Sequence, residues 1–260
     1  YLIKGMCHNQ IGNYNNALSN YLIAQEYALK MYEMLKPSGW HDILKGFLLS
    51  EDFVTIITTL EKCVDEGQRF TPPLKQVFNA FMQCPYDKTK VIMIGQDPYP
   101  QLGVADGIAF SCGNTKKAET SLRYILHAVN DTVYEGKKDV NTFDPDLRRW
   151  SNQGVLLLNT ALTTEIGKIG KHIDIWHPFI AYLVDMLNAS YNDYVWVFMG
   201  KKAQHYEDLV DSILSNTLLL QCSHPASAAY AKAHHWDCNN IFNAVNQHLK
   251  EQKKLPEIIL

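Results

Sequence analysis

Four short apolar runs constrain this chain more than any other feature: Val91-Ile92-Met93-Ile94, Val155-Leu156-Leu157-Leu158, Tyr194-Val195-Trp196-Val197-Phe198-Met199 and Leu218-Leu219-Leu220-Gln221-Cys222. None approaches the roughly 20 apolar residues that a bilayer-spanning helix needs. Each instead has the length of a strand, and the first, Val91–Ile94, has the uninterrupted apolarity of one buried on both faces. Segments of helical spacing separate them. That alternation predicts a three-layer α/β/α domain, with a central four-stranded parallel sheet and helices on both faces. Right-handed crossovers then bring every strand's C-terminal end to one rim.

Residues 1–37 read as a helical extension before the main domain, which is expected over 38–260. Within the extension, Ile11-Gly12-Asn13-Tyr14-Asn15-Asn16-Ala17-Leu18, followed by Tyr21, Ala24 and Ala28, resembles the middle of a tetratricopeptide repeat. A lone repeat cannot bury its own apolar face. Two readings stay open: a helical hairpin packed on the main domain, or the end of a repeat array. Trp40 to Glu66 reads as one amphipathic helix and Phe70-Thr71-Pro72-Pro73 as a loop. Leu74 to Met82 reads as a short helix. Gly107-Ile108-Ala109-Phe110-Ser111 is expected to be extended. Further helices are expected from Ser121 to about Asn130, capped by Thr120 or Ser121, and over Pro145–Gln153, Pro178–Asn188, Lys202–Leu214 and Asn239–Gln252.

The residues just beyond the strands carry the chemistry. Gln96-Asp97-Pro98-Tyr99 follow the first run, Asn159 the second, Gly200-Lys201 the third and His224-Pro225 the fourth. A carboxylate, an amide, a cation and an imidazole thus face one crevice, joined by Tyr99 and Phe110. A single strand-end Asn or His is usually structural. Four polar strand ends in an otherwise apolar sheet point to a site.

Several chemistries are absent from the sequence. It has no nucleophile elbow, no P-loop and no G-x-G-x-x-G. The adjacent pair His234-His235 does not share a helix face, and none of the six cysteines forms a C-x-x-C pair. No metal site or cofactor is expected, and reduced cysteines suggest an intracellular protein, of cytoplasm or nucleus, or of the host cell if the source is viral. The net charge of -3 argues weakly against nucleic acid as a partner, although its distribution matters more than its total. What remains is an amide suited to a nucleobase edge, rings suited to stacking, a carboxylate that can steady a cation or orient water, and an imidazole that can stabilise an oxyanion. Together they suit cleavage of a bond between a sugar and a base.

Four motifs occur in order: Gly95-Gln96-Asp97-Pro98-Tyr99-Pro100, Gly107-Ile108-Ala109-Phe110-Ser111, Gly154-Val155-Leu156-Leu157-Leu158-Asn159 and His224-Pro225. With them the chain resembles family 1 uracil-DNA glycosylases over about residues 38–250. The resemblance implies that Asp97 orients water and stabilises the cationic sugar, and that neutral His224 donates to uracil O2. It implies that Asn159 reads N3 and O4, Tyr99 excludes the thymine methyl, Phe110 stacks on the base and Gln96 lines the pocket. Ser121 resembles a phosphate-contacting serine, and Pro98, Pro225, Ser227 and Tyr230 belong to the DNA-facing set. The implied substrate is uracil in single- and double-stranded DNA, reached by base flipping. A monomer is expected, with no membrane association and with the DNA groove or the N-terminal helices available to a protein inhibitor or partner. The alternative is a DNA-binding scaffold or accessory subunit with weak glycosylase activity.

The chain also departs from the family pattern. Pro100 stands where the common motif has His. His224-Pro225-Ala226-Ser227-Ala228-Ala229-Tyr230 replaces the usual H-P-S-P-L-S, so the leucine wedge is missing and Ala228 cannot fill its place. Tyr230 or a residue of the Lys232–Trp236 stretch is the candidate substitute. Lys201 replaces a serine, as a phosphate contact or as a solvated helix start.

Overall fold

The structure, a computed structural model, describes residues 19, 21–190, 192–211 and 217–260. The Ile11–Leu18 motif lies outside them. A helix over residues 21–35 (α1) opens the described chain. There follow α2 (Trp40–Leu48), α3 (Glu51–Asp65), β1 (Phe70–Thr71), α4 (Asn79–Gln83), β2 (Val91–Gly95), α5 (Thr120–Val133), α6 (Arg148–Ser151), β3 (Val155–Asn159) and β4 (Thr164–Glu165). The chain continues through α7 (Ile173–Ala189), β5 (Val195–Met199), α8 (Lys201–Gln204), β6 (Leu218–Cys222), α9 (Ala226–Tyr230) and α10 (Ile241–Glu251).

The four apolar runs form one parallel sheet in the order β3-β2-β5-β6. Its register pairs Gly95 with Asn159, and Met199 with Cys222, so the strand ends are level. Strand periodicity divides the core in two. Ile92, Ile94, Leu156, Leu158, Trp196 and Phe198 face one layer, with α2, α3 and α7. Val91, Met93, Val155, Leu157, Val195 and Val197 face the other, with α5 and α10. On α1, Ala24, Ala28, Met31 and Leu35 bury at helical spacing in the first layer. Three strands are buried throughout, whereas β6 is a half-exposed edge.

Several local expectations fail for identifiable reasons. Trp40–Glu66 is two helices, because Ser50 intervenes. Its hydroxyl donates to Phe47 O at 2.7 Å and accepts from Phe53 N, which ends one helix and caps the next. Phe70-Thr71 is a strand, paired antiparallel with Thr164-Glu165. Leu74–Met82 is broken into a 3-10 turn over Leu74–Gln76 and the short α4. Pro145–Gln153 shrinks to the one-turn α6. α5 begins at Thr120, with Glu119 in the cap position, and runs on to Val133. α7 starts at Ile173 and carries Pro178 inside it; Trp176 in its first turn is buried and donates through Nε1 to Thr163 Oγ1 at 2.8 Å. The Lys202–Leu214 helix is reduced to α8 and a 3-10 turn at Glu207–Leu209, with residues 212–216 outside the described set.

Candidate functional site

A cavity of about 320 Å³ opens on the rim where the strands end. It is lined by Gln96, Asp97, Pro98, Tyr99, Phe110, Ser121, Asn159, His224, Ser227 and Tyr230, so ten of the residues singled out from the sequence meet there. Lys201 and Pro225 do not line it. Lys201 is exposed at the start of α8, and Pro225 is buried where α9 begins.

The floor is built by close approach. Asn159 ends β3 beside Gly95, the last residue of β2. A Cβ on Gly95 would lie 2.6 Å from Asn159 Oδ1 and 2.7 Å from Phe110 Cζ. Only a residue without a side chain lets both groups reach the floor. The Asn159 amide has no hydrogen-bond partner among the described residues and keeps its donor and acceptor for a ligand.

The Gly107–Ser111 segment is a turn and not an extended piece. Phe110 sits in the left-handed region at φ 64°. Such backbone in a bulky residue persists only where surroundings impose it. Here Asp106 does so. Its fully buried carboxylate accepts from Ile108 N at 3.1 Å, Ser111 Oγ at 2.7 Å and Gly113 N at 3.0 Å. Ala109 N donates to Leu157 O at 3.1 Å, which docks the turn on β3. The Tyr99 hydroxyl donates to Phe110 O at 3.2 Å, so the two rings are held relative to each other. Burial raises the Tyr99 phenol well above its ordinary range.

Asp97 follows β2 directly. Its Oδ1 accepts from Gln96 Nε2 at 3.1 Å, and its Oδ2 accepts from the Gly170 amide. Burial pushes its carboxyl above the ordinary range, against the opposing effect of the Gly170 amide, Gln96 and Thr164. Across the cavity, the His224 ring centroid is 5.8 Å from that of Phe110. Burial lowers the imidazole to about 4, so it is neutral near pH 7. Ala226 N donates to His224 Nδ1 at 3.2 Å. Nδ1 is therefore the acceptor nitrogen, and the proton resides on Nε2. Gly200 leaves room for this ring, since a Cβ there would lie 2.8 Å from His224 Cβ.

The site is thus a slot with a fixed ring on one wall, an unpaired amide at the floor, a neutral imidazole donor and a buried carboxylate. It can hold a flat polar heterocycle by its edge while a carboxylate faces the attached group. Sequence reading missed Asp106, Gly170, the cavity-lining Ile169 and the backbone of Ala226. The Asp106-Gly107 pair is a turn signal and was readable. Gly170 lies 73 residues from Asp97 and carries no local signal.

Comparison with known proteins gives the chain relatives of one kind. Residues 81–250 match the model of the "Uracil DNA glycosylase superfamily". The chain is 31% identical over 219 residues to the uracil-DNA glycosylase of Borrelia turicatae, covering 84% of this chain and 95% of that protein. It is similar to the crystal structure of mimivirus uracil-DNA glycosylase, with a TM-score of 0.74, 25% identity, and coverage of 87% of this chain and 88% of that one. A mimivirus UNG variant in complex with UGI aligns at a TM-score of 0.73 and 25% identity, covering 85% and 87%.

Proposed function

The chain belongs to the uracil DNA glycosylase superfamily, and we propose that it is a family 1 enzyme that hydrolyses the N-glycosidic bond of deoxyuridine in single- and double-stranded DNA. The products are free uracil and an abasic site, as in base excision repair. One observation carries this reading above all: Asp97, Asn159 and His224 leave the ends of three strands of one sheet and converge on a single base-sized cavity.

The residues divide the work as follows. A flipped uracil enters the slot, because the target bond is out of reach inside a stacked duplex. The Phe110 ring stacks on its face. Asn159 offers an acceptor to N3–H and a donor to O4, a pairing that cytosine does not match. The Tyr99 ring, tied to Phe110 O, crowds the position of a thymine methyl. Gln96 closes the wall. As the bond from C1′ to N1 breaks, its electron pair moves into the base, and the negative charge on O2 meets the Nε2–H of His224. A neutral donor suits this step, because no proton need leave before the next turnover. The Asp97 carboxylate faces the cationic sugar and orients the water whose oxygen joins C1′; the proton that this water gives up passes by way of Asp97 to solvent, and the departing uracil anion takes one up from solvent.

At the mouth, Ser121 lies in the first turn of the 14-residue α5, where backbone amides favour a phosphate. Pro98, Pro225, Ser227 and Lys201 complete the strand-facing set. Tyr230, exposed on α9, is the wedge that fills the space left by the flipped base. Residues 1–37 form an extension to a catalytic domain at 38–260. The enzyme works inside the cell as a monomer without a cofactor, and a protein inhibitor or partner engages the DNA groove or the N-terminal helices.

A uracil-release assay tests the proposal. The unmodified protein should turn over many times, and Asp97→Asn should lose orders of magnitude in rate with its thermal unfolding unchanged. Equal rates would remove Asp97 from the mechanism, and a failure to turn over would favour the accessory-subunit reading.

A further inference from the structure

Asp97 has no cationic partner among the described residues; its carboxylate is held by neutral donors. One of them, the Gly170 amide, belongs to the 164–172 loop, which comprises β4 and the residues joining it to α7. That loop is fastened at both ends and in its middle. At its start β4 pairs with β1, and Ile166 N donates to Arg69 O at 2.8 Å. In the middle, Gly167 N donates to Pro100 O at 3.0 Å, and Thr164 Oγ1 donates to Lys168 O at 2.7 Å. At its end, His172, only 1% exposed, shares a 2.9 Å hydrogen bond with Thr163 Oγ1. The same hydroxyl accepts from Trp176 Nε1 at 2.8 Å.

The two central bonds form a ring. Asp97 and Pro100 are three residues apart on one segment, and Gly167 and Gly170 three apart on the other. Pro100 O takes the Gly167 amide while Asp97 Oδ2 takes the Gly170 amide, so neither segment can slide without breaking both. A Lys or Arg partner would have neutralised the carboxylate. An amide dipole orients it and leaves its charge to face a cation.

Resting on the reading of Asp97 given above, we propose that the 164–172 loop is the positioning element of the reaction: the Gly170 amide, held by Pro100, Thr163 and His172, aims the Asp97 carboxylate at the sugar. The other titratable groups lining the cavity are Tyr99, His224 and Tyr230. Those of the loop are Glu165, tied to Lys168 at 2.8 Å, Lys171 and His172. None of them is among the causes that move the Asp97 carboxyl, which are burial, the Gly170 amide, Gln96 and Thr164.

Replacing Gly170 by glycolic acid, through nonsense suppression, exchanges one amide N–H for an ester oxygen and keeps every side chain. Small misplacements of a reacting group cost up to about a hundredfold, so kcat for uracil release should fall about 10- to 100-fold with KM within about twofold. The acidic limb of kcat/KM should move to higher pH, because the charged carboxylate has lost a donor. The carbon-13 NMR titration of Asp97 should move in the same direction. An unchanged kcat together with an unchanged titration would overturn the proposal. Thr163→Val should show the same split more weakly, and Thr163→Ser should restore the rate. Equal losses in both variants, or a loss confined to KM, would leave the loop a purely structural role. The NMR titration needs no substrate. If the unmodified protein releases no uracil, the enzymatic reading falls, and the titration alone decides whether Gly170 governs the carboxylate.

Discussion

At the floor of the cavity Asn159 is 8% and Phe110 7% exposed, while at its lip Tyr230 is 78% and Ile169 61% exposed. The floor is assembled from strand ends in register, a glycine that cannot bear a Cβ, and a turn clamped by the buried Asp106. The lip consists of the five-residue α9 and the tip of a loop. A base must be read and a bond broken at positions accurate to fractions of an ångström, which only close-packed parts of the fold supply. A DNA backbone is long, charged and deformable, and a surface that meets it tolerates variation. Of the departures from the motifs that the chain resembles, those of the Ala226–Tyr230 stretch fall on the lip, whereas Pro100 lines the cavity beside Asp97 and Tyr99.

The largest expected effect that would break this contrast concerns the floor. His224→Ala removes the donor to the leaving base and should lower kcat about 10²- to 10³-fold, the usual cost of one such donor; single-turnover kinetics measure it. A loss below tenfold would mean that the imidazole does not carry the developing charge. Gly95→Ala comes next. Its new methyl would press on Asn159 and Phe110 at once, and a displacement of that kind should cost about a hundredfold in kcat/KM while the far-UV circular dichroism is unchanged. Preserved activity would show that the floor yields more than its packing suggests.

The pH dependence of stability sharpens the same point. The His224 imidazole is lowered from 6.5 to about 4 by burial. The unfolded chain therefore takes up the proton first, and the stability contributed by burying the neutral ring is complete above pH about 6.5 and declines as the pH falls towards about 4. Urea unfolding at pH 7 and pH 5 should show the wild type losing roughly 1–2 kcal/mol more than His224→Gln. Equal losses would place the ring in a more solvated setting. The smallest effect belongs to the lip. Tyr230→Ala should reduce excision from duplex about tenfold, in line with the roughly 1–3 kcal/mol that one aromatic ring stacked on a base contributes. Single-stranded substrate should be cleaved at the wild-type rate. A uniform loss on both substrates would make Tyr230 part of the floor and not of the wedge.

Much of the site was legible before folding, because the chemistry resides at strand ends. An apolar run ends where a polar residue or a glycine appears, so Asp97, Asn159 and His224 announce both the end of a strand and the presence of a functional group. Parallel topology then forces these ends together. The missed features depend on contacts distant in sequence. Nothing near Gly170 indicates that its amide meets Asp97, and nothing near Phe110 shows that its backbone is left-handed. Ser50 could have been read as a helix cap, but a continuous apolar face runs across it from Trp40 to Val64.

The sequence by itself determined the sheet, the side chains at its rim and the kind of bond they suit, because strand periodicity and residue chemistry are local properties. Only the tertiary structure decided which nitrogen of His224 carries the proton, what holds Asp97 without neutralising it, and how Phe110 is turned into the slot. Each of those depends on a backbone amide, a carbonyl or a buried carboxylate brought in from another segment, and main-chain groups are the same in every residue until the fold places them.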